Sequence, residues 1–240
     1  MTTPHRSSAL VPWSAGAGDG TALVCIPWAG AGATPFRAWA PVIGDVATVH
    51  GVRLAGRESR QTEPLPTALD QVVAELVRDL VVLGPPRVAL FGQCSGAILA
   101  FEVARALHRS GGPRLVHLLV ASQLPPSAVA AARTEPDEGL PRYVSEDLRE
   151  EPELLEVLLP ILAADMSVVA GYAYAPDGPL DVPLTVLYGG RDELLDRAEV
   201  DGWRRETTGT TDFREIPAAD HLFGGAAWLE LAKAVRAALA

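Results

Sequence analysis

Arg87-Val88-Ala89-Leu90-Phe91-Gly92-Gln93-Cys94-Ser95-Gly96 decides how this chain is read. A short apolar run with strand character meets a turn flanked by two glycines, and the turn leads straight into a helical pattern over 97–107. Strand, tight turn and helix in this order are the context of a nucleophile elbow, where the central residue takes a strained conformation at the end of a sheet. Side chains at the flanking positions would clash, which accounts for glycine at 92 and 96. The central residue is Cys94, where most enzymes with this turn carry serine. At the N-terminus of a helix its sulfur meets the partial positive charge of unpaired amides, which favours thiolate over thiol. The alternative is a buried cysteine in a glycine-rich turn.

Outward from the elbow, short apolar runs at 22–26, 46–52, 115–121, 184–188 and 212–216 alternate with helical patterns. Such alternation is what a mostly parallel sheet with helices on both faces requires. Leu69, Val72, Val73, Leu76 and Leu80 recur at helical spacing after Pro66-Thr67 and stop at Gly84-Pro85, and a further helix is expected over 226–239. The stretch 124–179 breaks the alternation. It is rich in proline and carries an acidic run (Glu146, Asp147, Glu150, Glu151, Glu153), then Leu154, Leu155, Leu158, Leu162, Met166 and Tyr172 at roughly helical spacing. It is read as an insertion within one domain of residues 1–240, and as a lid over a site in preference to a solvated excursion.

Composition narrows the partners. The 240 residues are 48% hydrophobic with a net charge of −10, and Lys233 is the sole lysine, so no basic patch exists for nucleic acid. Residues 1–13 have no apolar core of signal-peptide length, and no uncharged run is long enough to span a bilayer, so no membrane partner is expected. Cys25 and Cys94 lie far apart, with neither a CxxC pair nor a histidine at metal-ligand spacing. Neither a disulfide nor a metal site is expected, and a reducing cytoplasm fits best.

A nucleophile of this kind needs a base, and the five histidines are unequal. His5 belongs to the N-terminal tail, His50 and His117 fall within strand patterns, and His108 ends a helix. His221 alone follows the last strand, in the loop Ala218-Ala219-Asp220-His221-Leu222. The carboxylate that orients it is expected after the preceding strand, where Tyr188-Gly189-Gly190-Arg191-Asp192 supplies Asp192; Glu193 and Asp196 are rivals, and Asp220 is a weaker one because it adjoins the histidine. The order nucleophile, acid, histidine is that of α/β-hydrolases. The loop Pro27-Trp28-Ala29-Gly30-Ala31-Gly32, after the first strong strand, offers exposed amides for an oxyanion hole, assigned to Ala29 and Ser95. As a phosphate loop it lacks the lysine and spacing of a Walker motif.

Over nearly its whole length the chain resembles the type II thioesterases, stand-alone α/β-hydrolases that accompany modular polyketide and nonribosomal peptide synthetases. Cys25-Ile26-Pro27-Trp28-Ala29-Gly30 looks like that family's strand-to-oxyanion loop, and Leu54-Ala55-Gly56-Arg57-Glu58-Ser59-Arg60 is similar to its L-P-G-R-E-x-R stretch. Phe91-Gly92-Gln93-Cys94-Ser95-Gly96-Ala97 matches its F-G-H-S-M-G-A elbow, and Ala164-Asp165-Met166 resembles the R-A-D-F element of its lid. Tyr188-Gly189-Gly190-Arg191-Asp192 and His221-Leu222-Phe223 fall where the family has its acid and histidine.

The resemblance implies an α/β-hydrolase fold with a helical lid insertion, and hydrolysis of acyl groups from the phosphopantetheine arm of an acyl or peptidyl carrier protein. It also implies a monomer with no metal and no bound cofactor, with Trp28 and Met166 contacting substrate. Four departures stand out: Cys94 for serine, Gln93 for histidine, Ser95 for methionine and Ala55 for proline. A thiol nucleophile turns one thioester into another of nearly equal energy, so transfer to a second carrier protein, an amine or a thiol is the alternative to hydrolysis. An inert carrier-binding module is the third reading.

Overall fold

Each of the apolar runs is a strand in the computed structural model, which describes residues 8–14, 20–132, 143–144 and 150–240. His5, Glu146 and Asp147 lie outside the described residues. The strands are β2 (Thr21–Ile26), β3 (Thr48–Val52), β4 (Arg87–Gln93), β5 (Arg114–Ala121), β6 (Leu184–Gly189) and β7 (Thr211–Ile216). Together with β1 (Leu10–Pro12) they form one sheet in the order β1-β3-β2-β4-β5-β6-β7, parallel throughout except at one edge. That edge is β1 (Leu10–Pro12), a strand the sequence reading did not contain, which runs antiparallel to β3 through Leu10↔Val52 and Pro12↔His50. Three residues ending in proline show no alternation, and proline is tolerated there because an edge strand need not donate on its open side.

The parallel strands bury both faces, as crossover helices demand. Leu23, Cys25, Ala89 and Phe91 point into one core with Phe36, Trp39 and Leu231, whereas Val24, Ile26, Val88 and Leu90 point into the other with Leu76, Leu80 and Phe101. Among the described residues, seven helices cover the sheet or its loops: α1 (Ala40–Ile43), α2 (Leu69–Leu83), α3 (Ser95–Ser110), α4 (Pro126–Ala132), α5 (Pro152–Ala170), α6 (Arg197–Val200) and α7 (Ala227–Leu239). Helix α2 buries the expected Val72, Val73, Leu76 and Leu80, and stops where Gly84 takes φ 63°, a conformation open to glycine at little cost. Among the described residues no helix is long and apolar enough to cross a membrane.

The chain visits β2, crosses to β3 on one side, and returns to build β4 on the other. This reversal opens a crevice at the carboxyl ends of β2 and β4, the place where ligands bind in open parallel sheets. Helices α4 and α5 come from the segment between β5 and β6. The apolar stripe of α5 is not a single surface. Leu155, Leu158, Leu159, Leu162 and Met166 pack with Ala29, Tyr143 and Val144, while Tyr172, past the end of the helix, packs with Val169 and Ile98. Leu154 departs from the expected stripe: it is 52% exposed, because adjacent positions on a helix point about 100° apart and Leu155 takes the inward direction.

Candidate active site

Cys94 sits between β4 and α3 with φ 51° and ψ −125°, a backbone state that non-glycine residues adopt only when their surroundings impose it. Its amide donates to Ala121 O at 2.9 Å and its carbonyl accepts from Ala97 N at 2.9 Å, so both sides of the turn are fixed. The steric reason for the glycines is direct. A Cβ on Gly92 would overlap the Gly96 carbonyl, and one on Gly96 would overlap the carbonyl oxygens of Ile26 and Pro27. The second contact presses the elbow against the start of the loop expected to hold an oxyanion.

His221 and Asp192 come together as expected. Nδ1 of the imidazole lies 2.9 Å from both carboxylate oxygens, and the carboxylate also accepts the Leu194 amide at 3.0 Å. Of the rivals, Asp196 caps α6 by accepting from Ala198 N, Asp220 accepts from Leu222 N and Gly224 N in its own loop, and Glu193 is exposed. The loops carrying acid and base are joined backbone to backbone, through Gly190 N to Ile216 O and Arg191 N to Ala219 O. Carbonyls of Pro217, Ala219 and Asp220 occupy the space where Gly189 and Gly190 would carry side chains.

The other ring nitrogen of His221, Nε2, is buried and makes no hydrogen bond of full geometry, yet the Cys94 sulfur is the charge that acts on it most strongly. Burial pushes the imidazole pKa down; the neighbouring Cys94 sulfur and the hydrogen bond and charge of Asp192 reverse this and raise it to about 10. Burial would raise Asp192, but the hydrogen bond and charge of His221 hold its carboxyl below the usual range. The site therefore favours a protonated imidazole beside the Asp192 carboxylate. The remaining described histidines are occupied elsewhere: His50 with Thr48 O, His117 with Thr185 Oγ1, and His108 near Asp181 at the surface.

The loop after β2 turns tightly, with Ala31 N donating to Trp28 O at 3.1 Å and Gly30 at φ 84°. The Gly30 amide is taken by Asp165 Oδ2 of α5 at 2.8 Å. The amides of Gly30 and Ala31 are thus engaged, and Ala29, the expected oxyanion donor, lies in the same turn. Ser95 opens α3, and the first amides of a helix have no partner within it. Beside the loop lies a largely apolar cavity of about 420 Å³, bounded by Trp28, Leu158, Leu162, Tyr143, Phe223 and Trp228 among others. Trp28 stands edge-on to Trp228 at 5.7 Å, and Tyr143 edge-on to His221 at 5.8 Å. Met166 packs against the same cluster as Leu158 and Leu162 but is not among the residues lining the cavity.

Two positions near the triad were not assigned a role from sequence. Gln93, fully buried, donates from Nε2 to His221 O at 3.4 Å, and Ser122, at φ 46°, adjoins the Asp192 carboxylate, although its hydroxyl completes no hydrogen bond. The unusual positive φ is visible only in the fold. Among the described residues no group of histidine, cysteine, aspartate or glutamate is arranged to hold a metal ion.

A mostly parallel sheet, an elbow at the end of its fourth strand, and acid and histidine on the two loops that follow β6 and β7 define an α/β-hydrolase. The thioesterase-domain family model matches residues 21–238, and the chain belongs to that family. It is 31% identical over 214 residues to the gramicidin S biosynthesis protein GrsT of Aneurinibacillus migulanus, covering 84% of this chain and 82% of that one. RedJ, a thioesterase from the prodiginine pathway of Streptomyces coelicolor, superposes with a TM-score of 0.81 at 29% identity, covering 91% of this chain and 86% of that one. The type II thioesterase BorB from the borrelidin cluster also gives 0.81, at 26% identity over 99% and 98% of the two chains. The protein is thus an acyl-thioester hydrolase by family.

Proposed function

We propose that this thioesterase removes acyl groups from the phosphopantetheine arm of carrier proteins in polyketide or nonribosomal peptide biosynthesis, through a Cys94-His221-Asp192 triad and a covalent acyl-enzyme. The observation that carries the reading is the imidazole of His221, gripped by Asp192 through Nδ1 and raised to about 10 by the sulfur on its other side. An imidazolium at 221, held in place by Asp192, is positioned to carry the proton that the departing thiol needs.

In the first half-reaction Cys94 Sγ attacks the thioester carbonyl, and the oxygen gains negative charge that the amides of Ala29 and Ser95 stabilise. The carbon–sulfur bond to pantetheine breaks, and the proton on His221 Nε2 passes to the departing thiolate. In the second, His221 takes a proton from water as it attacks the acyl-cysteine, and Cys94 leaves as thiolate. Asp192 holds the imidazole in orientation throughout. The apolar cavity beside Trp28 and Leu162 suits an uncharged, mainly hydrocarbon acyl group, and α5 covers it as a lid.

Cys94 itself favours a second reading. An acyl-cysteine keeps its reactivity, so an amine or thiol that reaches it competes with water. Incubating the enzyme with an acyl carrier protein, with and without an acceptor amine or thiol, separates the two. Hydrolysis predicts acyl mass on Cys94 and free acid without acceptor; transfer predicts that the acyl-enzyme accumulates until acceptor is added. Turnover persisting in Cys94→Ala would remove the triad from consideration.

A further inference from the structure

Gly-Arg-Glu-Ser-Arg, residues 56–60, has no part in the triad, yet each of its charged side chains is committed. Arg57 is 4% exposed and forms a two-pronged pair with Asp165, itself 6% exposed, Nη1 to Oδ2 at 2.6 Å and Nη2 to Oδ1 at 2.7 Å. Arg57 Nη1 also donates to Ala31 O at 2.9 Å, and Asp165 Oδ2 also accepts from Gly30 N at 2.8 Å. Glu58, at φ 49°, takes the Thr34 amide and hydroxyl farther along the same loop, and Arg60 anchors the segment to Glu63 and to Glu75 of α2.

The turn around Ala29 is therefore clamped at three points: Trp28 O by Ala31 N, Gly30 N by Asp165, and Ala31 O by Arg57. One of the three clamps comes from the lid. Leu158 and Leu162 of α5 press on the same turn, since a Cβ on Gly30 would lie 3.0 Å from Leu158 Cδ1. A buried ion pair is seldom a better source of stability than apolar side chains of equal volume. It does fix directions, because a carboxylate shared between a guanidinium and an amide leaves neither free to rotate.

We propose that Asp165 is a positioning residue of the oxyanion hole: held by Arg57, it fixes the Gly30 peptide and so aims the Ala29 amide, making the hole complete only while the lid helix is docked. The proposal rests on the Cys94 acyl-enzyme reading. Lid closure and transition-state stabilisation then become one event, and a thioester bound under an undocked lid is not attacked.

The test compares two reagents for the same sulfur. Acylation by hexanoyl-pantetheine develops an oxyanion, whereas alkylation by iodoacetamide displaces iodide and develops none. Asp165→Asn is expected to slow acylation about a hundredfold, the scale of losing one oxyanion donor, and to leave the alkylation rate within about twofold. Arg57→Met with Asp165→Leu replaces the pair by apolar side chains that keep the core filled; the same split is expected with a melting temperature at or above that of the unaltered enzyme. Equal loss of both rates, or acylation at the original rate in the double variant, overturns the proposal. Failure of the underlying reading shows up separately, as a wild-type enzyme in which neither reagent modifies Cys94.

Discussion

The elbow and helix α5 are held in opposite ways. Around Cys94 the contacts are backbone on backbone: Gly92 on Gly96, Gly96 on Ile26 and Pro27, and Gly189 and Gly190 on the loop that carries His221. Such contacts have no slack, since a peptide cannot change rotamer. Helix α5 is held by side chains, by leucines on the turn around Gly30 and by the Arg57–Asp165 pair, with Pro160 inside the helix and Leu154 and Val157 in solvent. Side-chain contacts can be released and remade. The difference separates a frame with no freedom to shift from a helix that can be undocked and redocked.

The rigid half is the easier to break. Cys94→Ala is expected to fold and to lose turnover by on the order of a millionfold, the scale for removing the nucleophile from a unit of this kind. Thermal melting and release of free acid check both parts. Gly96→Ala is its counterpart: its Cβ meets the carbonyl oxygens of Ile26 and Pro27, which cannot step aside, so stability falls by about 3 kcal/mol and acylation fails together with it. A Gly96→Ala enzyme that melts normally would show that the backbone contact is softer than the comparison requires.

Next come the proton carriers. His221→Ala is expected to slow acylation by a factor on the order of 10⁶ and Asp192→Asn by one on the order of 10⁴, because the first removes the proton and the second only the hold on it. The raised imidazole supplies a pH test. Its folded pKa, near 10, exceeds the unfolded value of about 6.5, so the protonated imidazole stabilises the fold fully below about pH 6.5 and progressively less as pH rises through 10. The melting-temperature gap between the wild type and His221→Gln should shrink over that window. Because Cys94 is the leading influence that raises it, the His221 pKa should fall in Cys94→Ala, as read by NMR of the ring protons. An unchanged pKa would mean the sulfur and the imidazole are not coupled.

The rigid half was also the legible half. Backbone crowding leaves its mark as glycine at fixed spacing, so 92, 94 and 96 identify the elbow, and chain order points to Asp192 and His221, which meet from the loops after β6 and β7. The lid is less legible because side-chain contacts leave no such spacing. Arg57 and Asp165 stand 108 residues apart, and nothing in either neighbourhood names the other. The resemblance marked both segments without giving them a task. Strand β1 was missed for a different reason: three residues ending in Pro12 are too few for alternation to show. The α5 stripe looks like one surface in sequence because Leu154 and Tyr172 share its spacing, yet the first turns to solvent and the second lies beyond the helix against Ile98.

The mildest change sharpens the comparison most, since it alters what the lid admits and leaves the chemistry alone. Leu158 lines the cavity and reaches the turn at Gly30; Met166 packs in the same cluster but is not among the residues of the cavity wall. A tryptophan at either site adds bulk that a helix held by side chains can absorb by shifting, so neither variant should lose much melting temperature. At 158 the ring intrudes on the acyl group, and kcat/KM for an octanoyl thioester is expected to drop about tenfold while that for acetyl is unchanged, the discrimination that a few methylenes in an apolar pocket allow. At 166 the bulk falls behind the wall and the length preference should move by less than about threefold. Equal effects at both positions would mean that the acyl chain runs along the whole of α5, and a larger effect at 166 would place the chamber deeper under the lid than the cavity beside Trp28.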